Sequence, residues 1–172
     1  QAAIAAQSLS ERSHHVVRVF DIKTDPSTGL PFTVMEFLSG ETLSHRLYRA
    51  PLTLDQVFEI GLTLADTMGT AHELNLIHRD LKPENVMLIQ RGGTDLFVKL
   101  LDFDLVKLEA SESQVQTQEG QILGTLEYMS PEQLKGATVD ERADVFSLGA
   151  ILYECFSGVR ANPGKTQREL IK

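Results

Sequence analysis

Between Leu54 and Leu74 the apolar positions Leu54, Val57, Phe58, Gly61, Leu64, Ala65, Met68 and Ala71 recur every three or four residues. That rhythm predicts a helix with one face turned to a core. Thr53 and Gln56 have the spacing of a capping box at its start. A second helix is predicted over Asp140 to Phe156, opened by a capping box of Thr138 and Glu141. Its apolar residues Val145, Phe146, Leu148, Ile151, Leu152, Cys155 and Phe156 wrap most of the circumference, which predicts burial on several sides. The alanine-rich opening "QAAIAAQSLS" reads as a helix under way at residue 1.

Period-two runs supply the strands. "HVVRVFDI" (15–22) and "PFTVMEF" (31–37) are β-branched and aromatic, and the intervening "KTDPSTGL" is turn chemistry, so the pair predicts an antiparallel hairpin. "VMLI" (86–89) and "LFVKLL" (96–101), separated by "QRGGTD", predict a second hairpin that points at Asp102. Residues 109–121, "EASESQVQTQEGQ", are nearly devoid of large apolar groups and read as a loop.

Composition narrows the function classes. The chain has 172 residues, 42% of them hydrophobic, enough for one domain with a sizeable core. A net charge of −8 without a Lys/Arg cluster argues against nucleic acid or anionic lipid as partners. The single cysteine, Cys155, reads as a small apolar core residue and fits a reducing, cytoplasmic setting, whether in this chain or in the intracellular part of a longer one. No apolar run reaches the ~20 residues of a membrane span. His14 and His15 lack a third ligand nearby and read as a surface pair.

The chemistry is concentrated in a few polar residues. "HRDLKPEN" (78–85) follows the long helix, and a match of this kind arises by chance on the order of once in 10⁴ chains. With "LDFD" (101–104), "GTLEYMSPE" (124–132) and "DVFSLG" (144–149), the chain resembles the eukaryotic-type serine/threonine protein kinases, in particular their bacterial members. The resemblance implies an α+β, kinase-like fold that is partial. Residues 1–38 would be the end of the small lobe and the hinge, with one helix and two strands. Residues 39–172 would be a mainly helical large-lobe core.

The residue types suit phosphoryl transfer from ATP with Mg²⁺ to a protein substrate. Magnesium prefers hard oxygen ligands, which Asn85 and Asp102 offer. Asp80 resembles the catalytic base that accepts the proton of the attacking hydroxyl, and Lys82 would neutralise the moving phosphate in the serine/threonine pattern. "VMEFLSGETL" resembles the adenine-binding hinge, with Met35 as gatekeeper, main-chain contacts near Glu36 and Leu38, and Glu41 toward the ribose. Met87 would be the floor under the adenine. Arg79 beside the catalytic aspartate implies control by loop phosphorylation. Thr117, eight residues before Thr125, is the first candidate, followed by Ser111 and Ser113. Thr125 resembles the structural threonine of the substrate-docking loop. Asp144 is expected to hold the catalytic-loop backbone, His78 to pack under Phe103, and Asp140 and Glu141 to be helix-start charges.

Two departures stand out. Asp104 occupies the place of a glycine and adds negative charge near the metals. No G-x-G-x-x-G occurs, and no lysine precedes Lys23, so the family's phosphate-covering loop and strand lysine are missing from these residues. The chain therefore reads as truncated at both ends, with the arginine partner of Glu132 beyond its end, and on its own is expected to be inactive and marginally stable. A non-catalytic, kinase-like binding module is the alternative. A small-molecule phosphotransferase is disfavoured by "GTLEYMSPE", a segment suited to docking a peptide.

Overall fold

In the computed structural model, the structure describes residues 9–90, 96–101, 103, 126–164 and 169. A helical turn over residues 9–12 leads to β1 (Val19–Thr24) and β2 (Pro31–Met35). These pair antiparallel from Val19 opposite Met35 to Thr24 opposite Pro31. The turn between them is built by Asp25, whose Oδ1 accepts the Ser27 N–H at 2.7 Å and the Ser27 hydroxyl at 2.6 Å. The first predicted strand starts later than its β-branched run. Residues 15–17 instead lie against the second sheet, where Val17 N–H donates to Leu100 O at 2.9 Å and Leu100 N–H to His15 O at 2.7 Å. His15 is accordingly half-buried, with Nδ1 2.7 Å from Val98 O and its ring on Phe97, so the expected surface pair reduces to His14 alone.

The second sheet has the antiparallel order β3 (Glu41–Thr42), β4 (Val86–Gln90), β5 (Leu96–Leu100). The predicted hairpin is β4–β5; its turn "QRGGTD" lies largely outside the described residues. Two elements were not legible in the pattern: the two-residue β3, and α1 (Leu43–Arg49), which Thr42 caps by accepting the His45 N–H. At Gly40, just before β3, a Cβ would stand 2.3 Å from Leu88 O, so only glycine lets this segment approach β4.

The long helix, α2 (Leu54–Glu73), carries the predicted capping box, with Thr53 Oγ1 accepting from Gln56 N–H and Gln56 Oε1 from Thr53 N–H. Its inward face is rotated from the predicted one. Ile60 and Thr67 are buried, whereas Leu54 and Phe58 are exposed. After the short α3 (Pro131–Leu134) comes α4 (Arg142–Ser157), closed by Gly158 in the left-handed conformation at φ 73°. Here two expectations fail. Glu141 caps α4 without a side-chain bond, and the nearby bond comes from Asp140, whose Oδ1 accepts the Arg142 N–H at 3.0 Å. The helix is also not covered all round. Ile151 and Cys155 are buried against α2, but Val145, Phe146 and Phe156 are exposed. The polar loop 109–121 and the opening residues 1–8 lie outside the described residues.

The core joins these layers. Leu43, Val57, Ile60, Leu64, Leu81, Val86, Val98, Leu100 and Ile151 are all at most 1% exposed and form one cluster. Burying such side chains contributes about 1.5–3 kcal/mol each, so the segment 76–85 between α2 and β4 is clamped from both sides.

Candidate active site

The segment between α2 and β4 has little regular structure of its own, and a buried carboxylate organises it. Asp144, on the first turn of α4 and 1% exposed, accepts His78 N–H on Oδ2 (2.8 Å) and Arg79 N–H on Oδ1 (2.9 Å). His72, in the last turn of α2, places Nε2 2.8 Å from the same Oδ2. A buried carboxylate is tolerated only when its lone pairs are satisfied, and here three donors converge on it. Its expected structural role is thus observed. His72 was missed, because nothing in the local pattern distinguishes it from other polar residues on the helix.

The clamp allows an unusual backbone. Arg79 has φ 63°, a region that costs a non-glycine residue energy unless its surroundings fix it. Asp144 holds its N–H, and Gln133 Nε2–H donates to its carbonyl at 2.7 Å. The next residue, Asp80, is thereby turned back over His78. Asp80 N–H donates to His78 Nδ1 (3.3 Å), which makes Nδ1 the acceptor and Nε2 the protonated atom facing Leu101 O at 2.9 Å. The His78 ring lies 4.8 Å from that of Phe103, as expected for a core histidine.

Around Asp80 the predicted residues come together. Lys82 Nζ donates to Asp80 Oδ2 at 2.7 Å, with both side chains about one-fifth exposed. Asn85 Nδ2 donates to Asp80 O at 2.8 Å and to Oδ2 at 3.2 Å. With three bonds on its carbonyl and Oδ2, the Asp80 carboxylate is fixed in direction. Among the described residues nothing donates to Oδ1. Spending both amide hydrogens of Asn85 on Asp80 leaves its Oδ1 as a hard oxygen acceptor, the donor type that Mg²⁺ requires. The second predicted metal ligand, Asp102, lies outside the described residues, but its neighbour Leu101 donates its N–H to Asn85 O at 2.8 Å. The donor set is therefore compatible with Mg²⁺ on the Asn85 side.

The residues predicted for the hinge lie along the connection between the sheets and on β4. Met35 ends β2, Glu36 and Leu38 lie in the connection to β3, and Met87 on β4 faces Thr42 and Lys99 across the strands. All four are half-buried. The Glu36 side chain is engaged internally: Oε1 accepts Arg18 N–H at 2.8 Å and pairs with Lys99. Partial burial pushes the Glu36 carboxyl up, but Lys99 and the Arg18 N–H outweigh it and hold it below its ordinary value. Glu41 is paired with Arg49 at 2.6 Å, which occupies the carboxylate expected at the ribose.

Beyond the catalytic segment, residues 126–130 are bolted onto α4. Ser147 Oγ donates to Tyr128 O at 2.7 Å, Tyr128 donates its hydroxyl to Glu154, and Arg160 pairs with Glu127. Burial and the neighbouring Glu154 push the Tyr128 hydroxyl far above its usual range. Ser130 caps α3 with Gln133 as the reciprocal partner. The regulatory candidates Thr117 and Thr125, the weaker Ser111 and Ser113, and Asp104 lie outside the described residues.

Comparison with known proteins decides the family. The protein kinase domain matches residues 4–172. The chain belongs to the protein kinase family. Serine/threonine-protein kinase Pkn1 of Myxococcus xanthus is 42% identical over 144 residues, 84% of this chain and 20% of that protein. Serine/threonine-protein kinase A of Synechocystis is 37% identical over 166 residues, 92% of this chain and 31% of its own length. Serine/threonine-protein kinase PknB of Mycolicibacterium smegmatis is 35% identical over 157 residues. The chain spans between 20% and 31% of the length of these curated relatives. The two sheets and the helices α2 and α4 are thus a partial kinase fold.

Proposed function

We propose that residues 1–172 form part of a serine/threonine protein kinase that transfers the γ-phosphate of ATP to protein hydroxyls. The observation that carries this reading is the fixed carboxylate of Asp80, with Oδ2 held by Lys82 and Asn85 while, among the described residues, Oδ1 accepts no bond and can face an incoming hydroxyl. In this reading Asp80 accepts the proton as the hydroxyl oxygen attacks phosphorus in line, and the ADP oxygen leaves. Lys82, already beside Asp80, neutralises the phosphoryl oxygens in flight. Asn85 and Asp102 hold Mg²⁺, which supplies charge neutralisation on the phosphates when bound.

The main chain at Glu36 and Leu38 reads the adenine edge, Met35 limits the depth of the pocket, and Met87 lies under the ring. Residues 1–38 belong to the small lobe and hinge, and 39–172 to the large lobe. Residues 126–130, pinned to α4, dock the protein substrate. Arg79 pairs with a phosphate on Thr117, and Thr125 contacts Asp80 and Lys82. The relatives' names support a protein substrate, and no observation favours the non-catalytic module. The test is Mg-ATP-dependent transfer of labelled phosphate to a mixed serine, threonine and tyrosine peptide pool by the longest natural chain containing residues 1–172. Label on serine or threonine supports the reading, and label on none overturns it.

A further inference from the structure

The proposed catalytic chemistry leaves one buried cation without a use. Lys99 is the penultimate residue of β5, between the core residues Val98 and Leu100, and so points to the opposite face of the sheet. Its side chain is only 13% exposed. A lysine so enclosed loses hydration and side-chain freedom, which must be offset by partners. It has them: Nζ donates to Val16 O at 3.3 Å and pairs with Glu36. Glu36 in turn accepts the Arg18 N–H and donates its own N–H to Arg18 O at 2.9 Å. Lys99 therefore ties three separate segments together: residues 16–18, the hinge at Glu36, and β5.

Register gives this tie a location. Lys99 pairs directly with Met87 across β4 and β5, and directly opposed residues share a sheet face. The Lys99 stem thus runs beside the side chain assigned to the adenine floor, while its ammonium holds the residue whose main chain is assigned to the adenine edge. Three residues further along the sequence stands Asp102.

We propose that Lys99 is a positioning residue for the nucleotide: through Glu36 it fixes the hinge main chain over Met87 and so sets adenosine affinity without touching the nucleotide. The proposal rests on the hinge assignment made above. Replacing Lys99 by methionine keeps the apolar stem beside Met87 and removes the ammonium, which frees the hinge to shift relative to the floor.

The test is calorimetric binding of adenosine, and separately of tripolyphosphate, to the longest natural chain containing residues 1–172. Lys99→Met is expected to weaken adenosine about tenfold, the size of one charge-assisted hydrogen bond, and to leave tripolyphosphate unchanged. Lys99→Arg is expected to restore adenosine binding. In a Glu36→Gln background, Lys99→Met should add less than about threefold, because the two residues act as one unit. Unchanged adenosine affinity in Lys99→Met, equal weakening of both probes, or additive effects of the two substitutions would each overturn the positioning role while leaving the kinase reading intact. Wild-type protein that binds neither probe would sink the hinge assignment itself. Thermal melts of each variant separate a hinge effect from misfolding, and Lys99→Arg, which keeps the charge, serves if Lys99→Met does not fold.

Discussion

The Asp144 carboxylate accepts the main-chain N–H of His78 at 2.8 Å across 66 positions of sequence. The conformation at the start of the 78–85 segment is therefore set in part from α4. Truncating the carboxylate strands two amides and leaves the positive-φ conformation of Arg79 held only at its carbonyl, by Gln133. Asp144→Ala is expected to cost about 3–5 kcal/mol, as for other buried charges deprived of a partner network. Asp144→Asn should cost less, since its oxygen still serves one amide while its nitrogen faces another donor. Urea unfolding at pH 7 checks both; a loss below about 1 kcal/mol for the alanine variant would contradict the organising role.

Acid should weaken the tie between Glu36 and Lys99. The Glu36 carboxyl is held below its ordinary value of 4.5, so the stability it contributes is fully present above that value and is lost as pH falls through the lowered one. The difference in Tm between wild type and Glu36→Gln is therefore expected to be constant from pH 7 to about 5 and to shrink as the pH falls below the ordinary value of 4.5. A difference that grows on acidification would have the wrong sign.

Cys155 is 5% exposed against α2, and burial, aided by the Glu154 charge, pushes its thiol up to about 12. At pH 8 only about one thiol in 10⁴ is then ionised, and the thiolate is the reactive form. Labelling with a disulfide-exchange reagent at pH 8 is expected to be negligible in native protein and complete in denaturant. Stoichiometric labelling of the native chain within minutes would place the thiol outside the core.

Phe58 on α2 and Phe156 on α4 meet edge to face, with centroids 6.0 Å apart and both rings more than half exposed. With Leu62 and Val145, also exposed, they leave apolar surface on both helices. In the 172-residue chain, Phe156→Ser is expected to reduce hydrophobic-dye binding and precipitation, while changing stability by less than about 1 kcal/mol because the ring is largely wet already. A larger loss would mean that the ring is covered in solution.

How much of this was legible depended on whether the signal was local. The α2 capping box and both hairpins were readable, because hydrogen bonds three residues apart and period-two alternation are fixed by neighbours in the chain. The inward face of α2 was not: which residues are buried depends on α4 and β5 packed against the helix, and helical spacing alone leaves the face ambiguous by one turn-step. The α4 capping box failed although Thr138 and Glu141 have the right spacing, because the helix begins only at Arg142, which makes Glu141 the N-cap rather than the third helical residue. Asp80, Lys82 and Asn85 were found because the loop that joins them is short. His72, Gln133 and Lys99 escaped because their partners lie 72, 54 and 63 positions away, and no spacing rule reaches that far.

The most direct test of the account compares Asp80→Asn with wild type in the longest natural chain containing these residues, by phosphate transfer to a serine/threonine peptide and by nucleotide binding. Asparagine keeps the size and one oxygen of the side chain, so ATP affinity is expected to stay within about threefold, while kcat falls by roughly 10²–10⁴ with the loss of the proton acceptor. Transfer by Asp80→Asn at the wild-type rate would contradict the assignment of Asp80 as the base and, with it, the reading of this site as a phosphotransferase centre.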